Sequence, residues 1–279
     1  MRIDEFTEIA YTLDEGVAHI VLNHPERRNA WGETMALQYR WALHHADNDP
    51  AVRVVVLSGA GDHFCVGAER QLLLDIEGRN GSYHVKKVDR PPYPEGTPPE
   101  LRRNHLAPLS LSVPVIAAIR GGCAGVGFVL ATYADIRFVG HNSRISSSFA
   151  KLGLPAEFGI AWILPRIMGL PNAAQILYFA DIISGAEATR LGWAQGVFDD
   201  DEVVNQALTA ARRLARSSSG ESLRSMEQQL FRDMTAGMDE VYRRSVDDMK
   251  AALTHPDFGE GIRAQRDRRP PDFLNQSQD

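Results

Sequence analysis

The chain has 279 residues, 44% of them hydrophobic and 24% charged, with a formal charge of −6 and a pI near 5.9. That length suits one large domain, or a domain with a helical appendage, and it can bury a substantial core. The acidic balance excludes a general nucleic-acid binder, which carries a basic face, and no run reaches the roughly 18 apolar residues that a membrane span needs.

The first element expected is a hairpin, with β-rich runs at 7–13 and 17–22 flanking Asp14-Glu15-Gly16. Asn23-His24-Pro25 ends the second run, because proline cannot continue a ladder. Residues 33–47 have helical spacing, with Met35, Leu37, Trp41 and Leu43 among the apolar positions. Residues 52–57 (VRVVVL) and 115–119 (VIAAI) are near-continuous apolar runs, as in strands covered on both faces. A short apolar helix after Gly127 and a strand at 135–139 (DIRFV) continue the strand–helix–strand alternation, which points to an α/β core. Residues 78–99 break the pattern, with Pro91, Pro92, Pro94, Pro98 and Pro99 beside Lys86, Lys87 and Arg90, and read as a loop or flap. From about residue 170 the spacing is helical, over 172–180, 186–191, 202–217, 221–235, 239–253 and 258–268. The expected division is a core at 1–200 and a helical region at 201–279 that makes oligomer contacts. Only Cys65 and Cys123 are present, so no disulfide framework is implied and a reducing compartment fits. With no apolar segment of signal length near the start, a cytoplasmic protein is expected.

Two glycine-rich loops follow buried strands, at 61–70 (GDHFCVGAER) and 121–127 (GGCAGVG). Glycine lets backbone approach a ligand closely and adopt positive φ, and a loop running into a helix presents unpaired N–H groups to an anion. Two such loops from neighbouring strands can converge on one oxygen, the geometry of an oxyanion hole. The spacings of a dinucleotide fingerprint, a phosphate-binding loop and a nucleophile elbow are all absent. Tight turns with close helix–sheet packing are the plain alternative. His63, His141 and the pair His44-His45 show no metal-ligand spacing, so no metal or redox cofactor is implied.

Several strings together resemble the crotonase (enoyl-CoA hydratase/isomerase) family, in order and over almost the whole chain. Residues 62–69 (DHFCVGAE) look like G-x-x-F-C-A-G-A-D-L. Residues 116–138 (IAAIRGGCAGVGFVLATYADIRF) are similar to IAAVNGxAxGGGxELAxxCDIxx. The early P-x-x-x-N-A element is matched at 25–30 (PERRNA), and the G-L-x-P-x-G-G element at 153–169 (GLPAEFGIAWILPRIMG). Residues 260–273 (EGIRAQRDRRPPDF) resemble the terminal E-G-x-x-A-F-x-x-K-R-x-P-x-F.

The resemblance implies an α/β spiroid of stacked ββα turns, followed by helices that build a homotrimer or a homohexamer. It also implies an acyl-CoA substrate, with coenzyme A present as part of that substrate and no permanently bound cofactor. The shared chemistry is polarisation of a thioester carbonyl by two backbone N–H groups, which fall here at Ala68 and Val126, where the family usually has glycine at the second. CoA would lie along Val66 and Ala68 of the first loop and along Arg28, Asn29 and Ala30, with Arg28 suited to phosphate. Arg268 and Arg269 match the terminal basic position, where family members contact CoA, often across a subunit boundary; Gln265 replaces its phenylalanine.

The two hydratase glutamates are missing, since Val129 and Phe149 stand at the matching places. Glu157 remains, at the position that carries an acid in enoyl-CoA and dienoyl-CoA isomerases, and apolar neighbours raise such a carboxyl toward neutrality. Isomerase-type proton transfer by Glu157 is therefore the expected reaction. The alternatives are a hydratase or lyase using Glu157, Glu95 or Glu100 for water activation, a C–C bond hydrolase of the same family, and a catalytically weak CoA-binding protein. Glu157 capping the helix that begins near Gly159 is the structural alternative for that residue, and Glu69 reads as a helix-start acid. The proline-rich insert is expected to cover the acyl pocket.

Overall fold

The hairpin forms in the computed structural model, which describes residues 1–79, 90–94 and 97–274. Strands β1 (Ile9–Asp14) and β2 (Val17–Leu22) pair antiparallel around a turn in which Gly16 takes φ +78°. Helix α1 (Glu33–Asn48) follows, then β3 (Val54–Gly59) and α2 (Arg70–Gly78). Next come β4 (Val115–Ile119), β5 (Gly122–Ala124), α3 (Val126–Thr132), β6 (Ile136–Gly140) and β7 (Arg144–Ser146). The remainder is α4 (Ile160–Met168), α5 (Leu170–Phe179), α6 (Gly185–Arg190), β8 (Gly196–Phe198), α7 (Val203–Ser217), α8 (Gly220–Arg232), α9 (Met238–Thr254) and α10 (Pro256–Asp267). One six-stranded sheet runs β1-β2-β3-β4-β6-β8, parallel from β2 onward, and β5 pairs with β7 in a small second sheet.

The continuous apolar runs work as strands because their period of two feeds two layers at once. Val55, Leu57, Val115, Ala117 and Ile119 point into the main core with Met35, Tyr39 and Leu43 of α1. Val54, Val56, Ile116 and Ala118 point the other way, onto Ala207, Ala211 and Ala215 of α7. Three alanines at a spacing of four give α7 a smooth face that lies close on the sheet. Helix α7, the first of the expected helical region, packs on the sheet and closes the second layer of the core. Among the described residues no helix is long and apolar enough to cross a membrane.

The third run is shifted relative to expectation. It pairs over Val54–Gly59 rather than 52–57, because the Val52 N–H closes a turn on Asp49 O while Ser58 and Gly59 continue the ladder beside Val21 and Leu22. Strands β5, β7 and β8 are three residues each, too short for a period to register in sequence.

Candidate active site

The loops after β3 and β4 leave the same end of the parallel sheet and lie against each other. The Cys65 N–H donates to Gly122 O at 3.1 Å, and the Ala124 N–H donates to Cys65 O at 3.0 Å. His63 joins them as well, its Nδ1 accepting from the Gly122 N–H at 3.0 Å. Glycine is required where the loops touch: a Cβ on Gly121 would come within 1.9 Å of Asp62 O, and one on Gly127 within 2.1 Å of Cys65 O. The tight packing read as the plain alternative is therefore real, and it is also what brings the two loops together.

Two residues in these loops present free backbone donors. Trp31 donates to Gly67 O at 2.7 Å and accepts from the Glu69 N–H at 3.1 Å. A ladder that bonds to the residues on either side turns the Ala68 N–H away from Trp31. Val126 is the first residue of α3, where an N–H has no intrahelical acceptor. Among the described residues neither N–H has a hydrogen-bond acceptor. The left-handed backbone falls on the residue before each donor, Gly67 at φ +106° and Gly125 at φ +51°. Valine is therefore compatible with the second donor position, because the strained conformation belongs to Gly125.

Glu157 lies on the turn before α4. That turn is held from α3's side: the Tyr133 hydroxyl, at the C-terminal end of α3, donates to Phe158 O at 2.5 Å, and Phe158 sits at φ +53°. Partial burial raises the Glu157 carboxyl above the usual carboxylate range. The Glu157 carbonyl accepts from the Ile160 N–H at 3.0 Å, so the main chain of this residue starts α4 while its side chain makes no cap. Val129 and Phe149, at the places of the hydratase glutamates, are buried in the core.

A cavity of about 550 Å³ has Trp31, Leu37, His105 and Phe158 on its wall together with the charged Glu33 and Arg103. Trp31 bridges to Ala68 and Phe158 follows Glu157, so the wall holds a neighbour of each, while Ala68, Val126 and Glu157 themselves are not on it. His105 was not foreseen: it stacks on Phe158 with ring centroids 3.7 Å apart, in a stretch whose sequence has no periodic signal. Tyr133 was missed for the same reason, its role depending on a contact across 25 residues of chain.

The remaining expected residues separate. Asn29 is fully buried, accepting from the His24 N–H at 2.8 Å and donating to Ala60 O at 2.9 Å and His63 O at 2.7 Å. Its side chain stitches the loop after β2 to the first glycine loop, so any ligand contact there falls to backbone. Arg28 is exposed and, among the described residues, has no side-chain partner; Ala30 and Val66 are half-buried nearby. Glu69 pairs with Arg27 at 2.8 Å in space that Gly32 leaves open, as suits a helix-start acid. Arg268 is not brought to the loops within one protomer. The tail after it, Pro270 to Leu274, lines a groove with Gly16, Arg53 and Arg216, at the amino ends of the parallel strands, whereas the glycine loops are at their carboxyl ends. Arg269 is engaged by Glu260 at 2.6 and 3.0 Å.

Of the proline-rich insert, the described part is anchored on α1, with the Arg40 guanidinium 4.3 Å from the centre of the Tyr93 ring. Lys86, Lys87 and Glu95 lie outside the described residues. Among the described residues no group of three or more His, Cys, Asp or Glu gathers as metal ligands would.

A family model described as enoyl-CoA hydratase/isomerase matches residues 12–276. The chain belongs to the enoyl-CoA hydratase/isomerase family. It is 29% identical to a peroxisomal Delta(3,5)-Delta(2,4)-dienoyl-CoA isomerase of Arabidopsis thaliana, over 93% of each chain. It is 30% identical to a 1,2-epoxyphenylacetyl-CoA isomerase of Escherichia coli, over 94% of this chain and 96% of that one. The solved structure of an enoyl-CoA hydratase from a Polaromonas species matches with a TM-score of 0.81 at 26% identity, covering 95% of this chain and 98% of that one. Membership makes this protein an acyl-CoA enzyme, and the mixed α/β core followed by a helical region is the fold of its structural neighbours.

Proposed function

We propose that this enzyme isomerises an enoyl-CoA by proton transfer, with the Ala68 and Val126 N–H groups holding the thioester oxygen and Glu157 as the single acid/base. The Glu157 carboxylate removes a proton from C2 of a 3-enoyl thioester. The electron pair moves toward the thioester oxygen, where the two N–H groups stabilise the enolate. The carboxylic acid then returns the proton at C4, and the double bond ends between C2 and C3. Each donor of this kind is worth roughly 10²–10³ in rate.

The observation that carries this reading is the Tyr133–Phe158 hydrogen bond, which ties the Glu157 turn to the helix that starts with the Val126 N–H. The absence of a carboxylate at Val129 and Phe149 favours a one-carboxylate reaction over the two-carboxylate hydration. CoA is assigned to the backbone of Val66 and Ala68 and to the 28–30 loop, with the exposed Arg28 guanidinium on its phosphates.

Incubation with a 3-enoyl-CoA and a trans-2-enoyl-CoA in D₂O, followed by mass spectrometry, tests the reading. Isomerised, deuterated thioester is expected with the native enzyme and not with Glu157→Gln. Hydrated product that survives in the variant would move the base elsewhere. CoA binding without turnover of any thioester would leave a binding protein.

The same reading extends to self-association through the helical region. Leu230, Met238, Tyr242, Phe258 and Ile262 are large, apolar and exposed on α8 to α10, and such side chains mark an interaction face where they form a contiguous patch. A homotrimer or homohexamer is expected by sedimentation velocity, and a monomer at micromolar concentration would refute it. In such an assembly Arg268 can serve only a neighbouring copy's CoA.

A further inference from the structure

His105 lines the cavity between Trp31 and Phe158, on a wall that joins aromatic and aliphatic side chains to Glu33, Arg90, Arg103 and Asn104. Its ring lies 3.7 Å from that of Phe158, at an interplanar angle of 29°, and 6.4 Å from that of Trp31. Among the described residues neither ring nitrogen has a hydrogen-bond partner. Burial lowers its pKa to about 4, so the ring is neutral under working conditions and offers one N–H donor and one lone pair. Polar groups in such places take partners. Phe158 follows Glu157 directly, so His105 stacks on the residue next to the proposed base.

We propose that His105 is a specificity-determining hydrogen-bonding group of this cavity, and that the natural acyl group carries an oxygen substituent, a hydroxyl or carbonyl, that meets its imidazole. The inference rests on the acyl-CoA reading of the site and deepens it by naming the substrate class. An unsubstituted acyl chain would leave the imidazole without a partner, and that penalty makes hydrogen-bonded sites discriminate against analogues lacking the polar group.

The test is equilibrium binding by calorimetry, using phenylacetyl-CoA and its 2-, 3- and 4-hydroxy ring analogues. At least one hydroxylated thioester is expected to bind native enzyme about tenfold more tightly than the parent, a difference of roughly 1.4 kcal/mol. His105→Phe, which keeps a ring against Phe158, is expected to hold the parent within threefold and to reduce the preference to less than twofold. Should that variant not fold, His105→Leu carries the same comparison. No preference in native enzyme, or an unchanged preference in the variant, would overturn the proposal and leave an imidazole satisfied by water. The measurement needs no turnover, so absence of isomerisation in D₂O would defeat the proton-transfer reading without deciding the role of His105. Failure to bind any CoA thioester would remove both.

Discussion

A carboxylate that takes a proton from carbon must be ionised to begin, and burial makes Glu157 harder to ionise than an ordinary glutamate. Activity is therefore expected to fall as pH drops through a value above the usual carboxylate range. Glu157→Gln should lower kcat by roughly 10²–10⁴ and abolish that acidic limb, read from kcat/KM against pH. An acidic limb at the position of an unperturbed carboxylate, or one that persists in the variant, would assign the base to another group. Glu157 was legible in sequence because it is the one acid in a string of recognisable motif residues. Asn29 was legible only as part of such a motif, and its side chain spends its three hydrogen bonds on joining two loops rather than on a ligand. His105 and Tyr133 carried no signal, since a lone histidine or tyrosine acquires meaning from what packs against it.

At the scale of elements, α3 connects the two halves of the proposed machinery. Its first residue offers the Val126 N–H, and the hydroxyl just past its last turn holds the Phe158 carbonyl at 2.5 Å. Phe158 has no glycine's freedom at φ +53°, and such a conformation persists only where surroundings enforce it. Tyr133→Phe removes the hydroxyl and keeps the ring in the core. It is expected to lower kcat about tenfold with KM changed less than threefold, and to shift the acidic limb, because the carboxyl loses its fixed environment. A change confined to thermal stability would make Tyr133 a packing residue only. The apolar strands and the amphipathic helices were readable because their periods repeat over several residues. The β5–β7 pair was not, because three residues contain no period and the pairing is set by chain 22 residues away.

Over the whole molecule, the helical region is tied to the core through a pair of acids, Glu227 buried and Asp135 half-buried. Asp135, just before β6, accepts from the Val115 N–H at 2.6 Å, and Glu227 of α8 hydrogen-bonds to it. Burial raises the pKa of both, and in Glu227 the neighbouring Asp135 raises it further, while the Val115 N–H and Arg137 favour the charged form of Asp135. Glu227 therefore holds the shared proton, with one carboxyl oxygen left unpaired. The unfolded chain loses this proton above the ordinary glutamate value near 4.5, whereas the folded chain keeps it to higher pH. Stability is then fully present in acid and declines as pH rises, by at most roughly 1.4 kcal/mol per unit, until the folded state also ionises. Thermal unfolding followed from pH 5 to 9 should show that decline, and Glu227→Gln should flatten it. Equal slopes in the two proteins would exclude the pair as its source.

What the sequence determined by itself was the order of the longer strands and the C-terminal helices, the two-sided burial of the central strands and the family, each of which rests on local repeats or contiguous strings of residues. Only the tertiary structure decided which groups meet. It set Ala68 and Val126 in adjoining loops, hung the Glu157 turn on Tyr133, gave α7 to the core and sent Arg268 to the far end of the sheet. The physical reason is that periodicity and motif are properties of neighbours along the chain. Hydrogen bonds, desolvation and close approach of backbone are properties of neighbours in space.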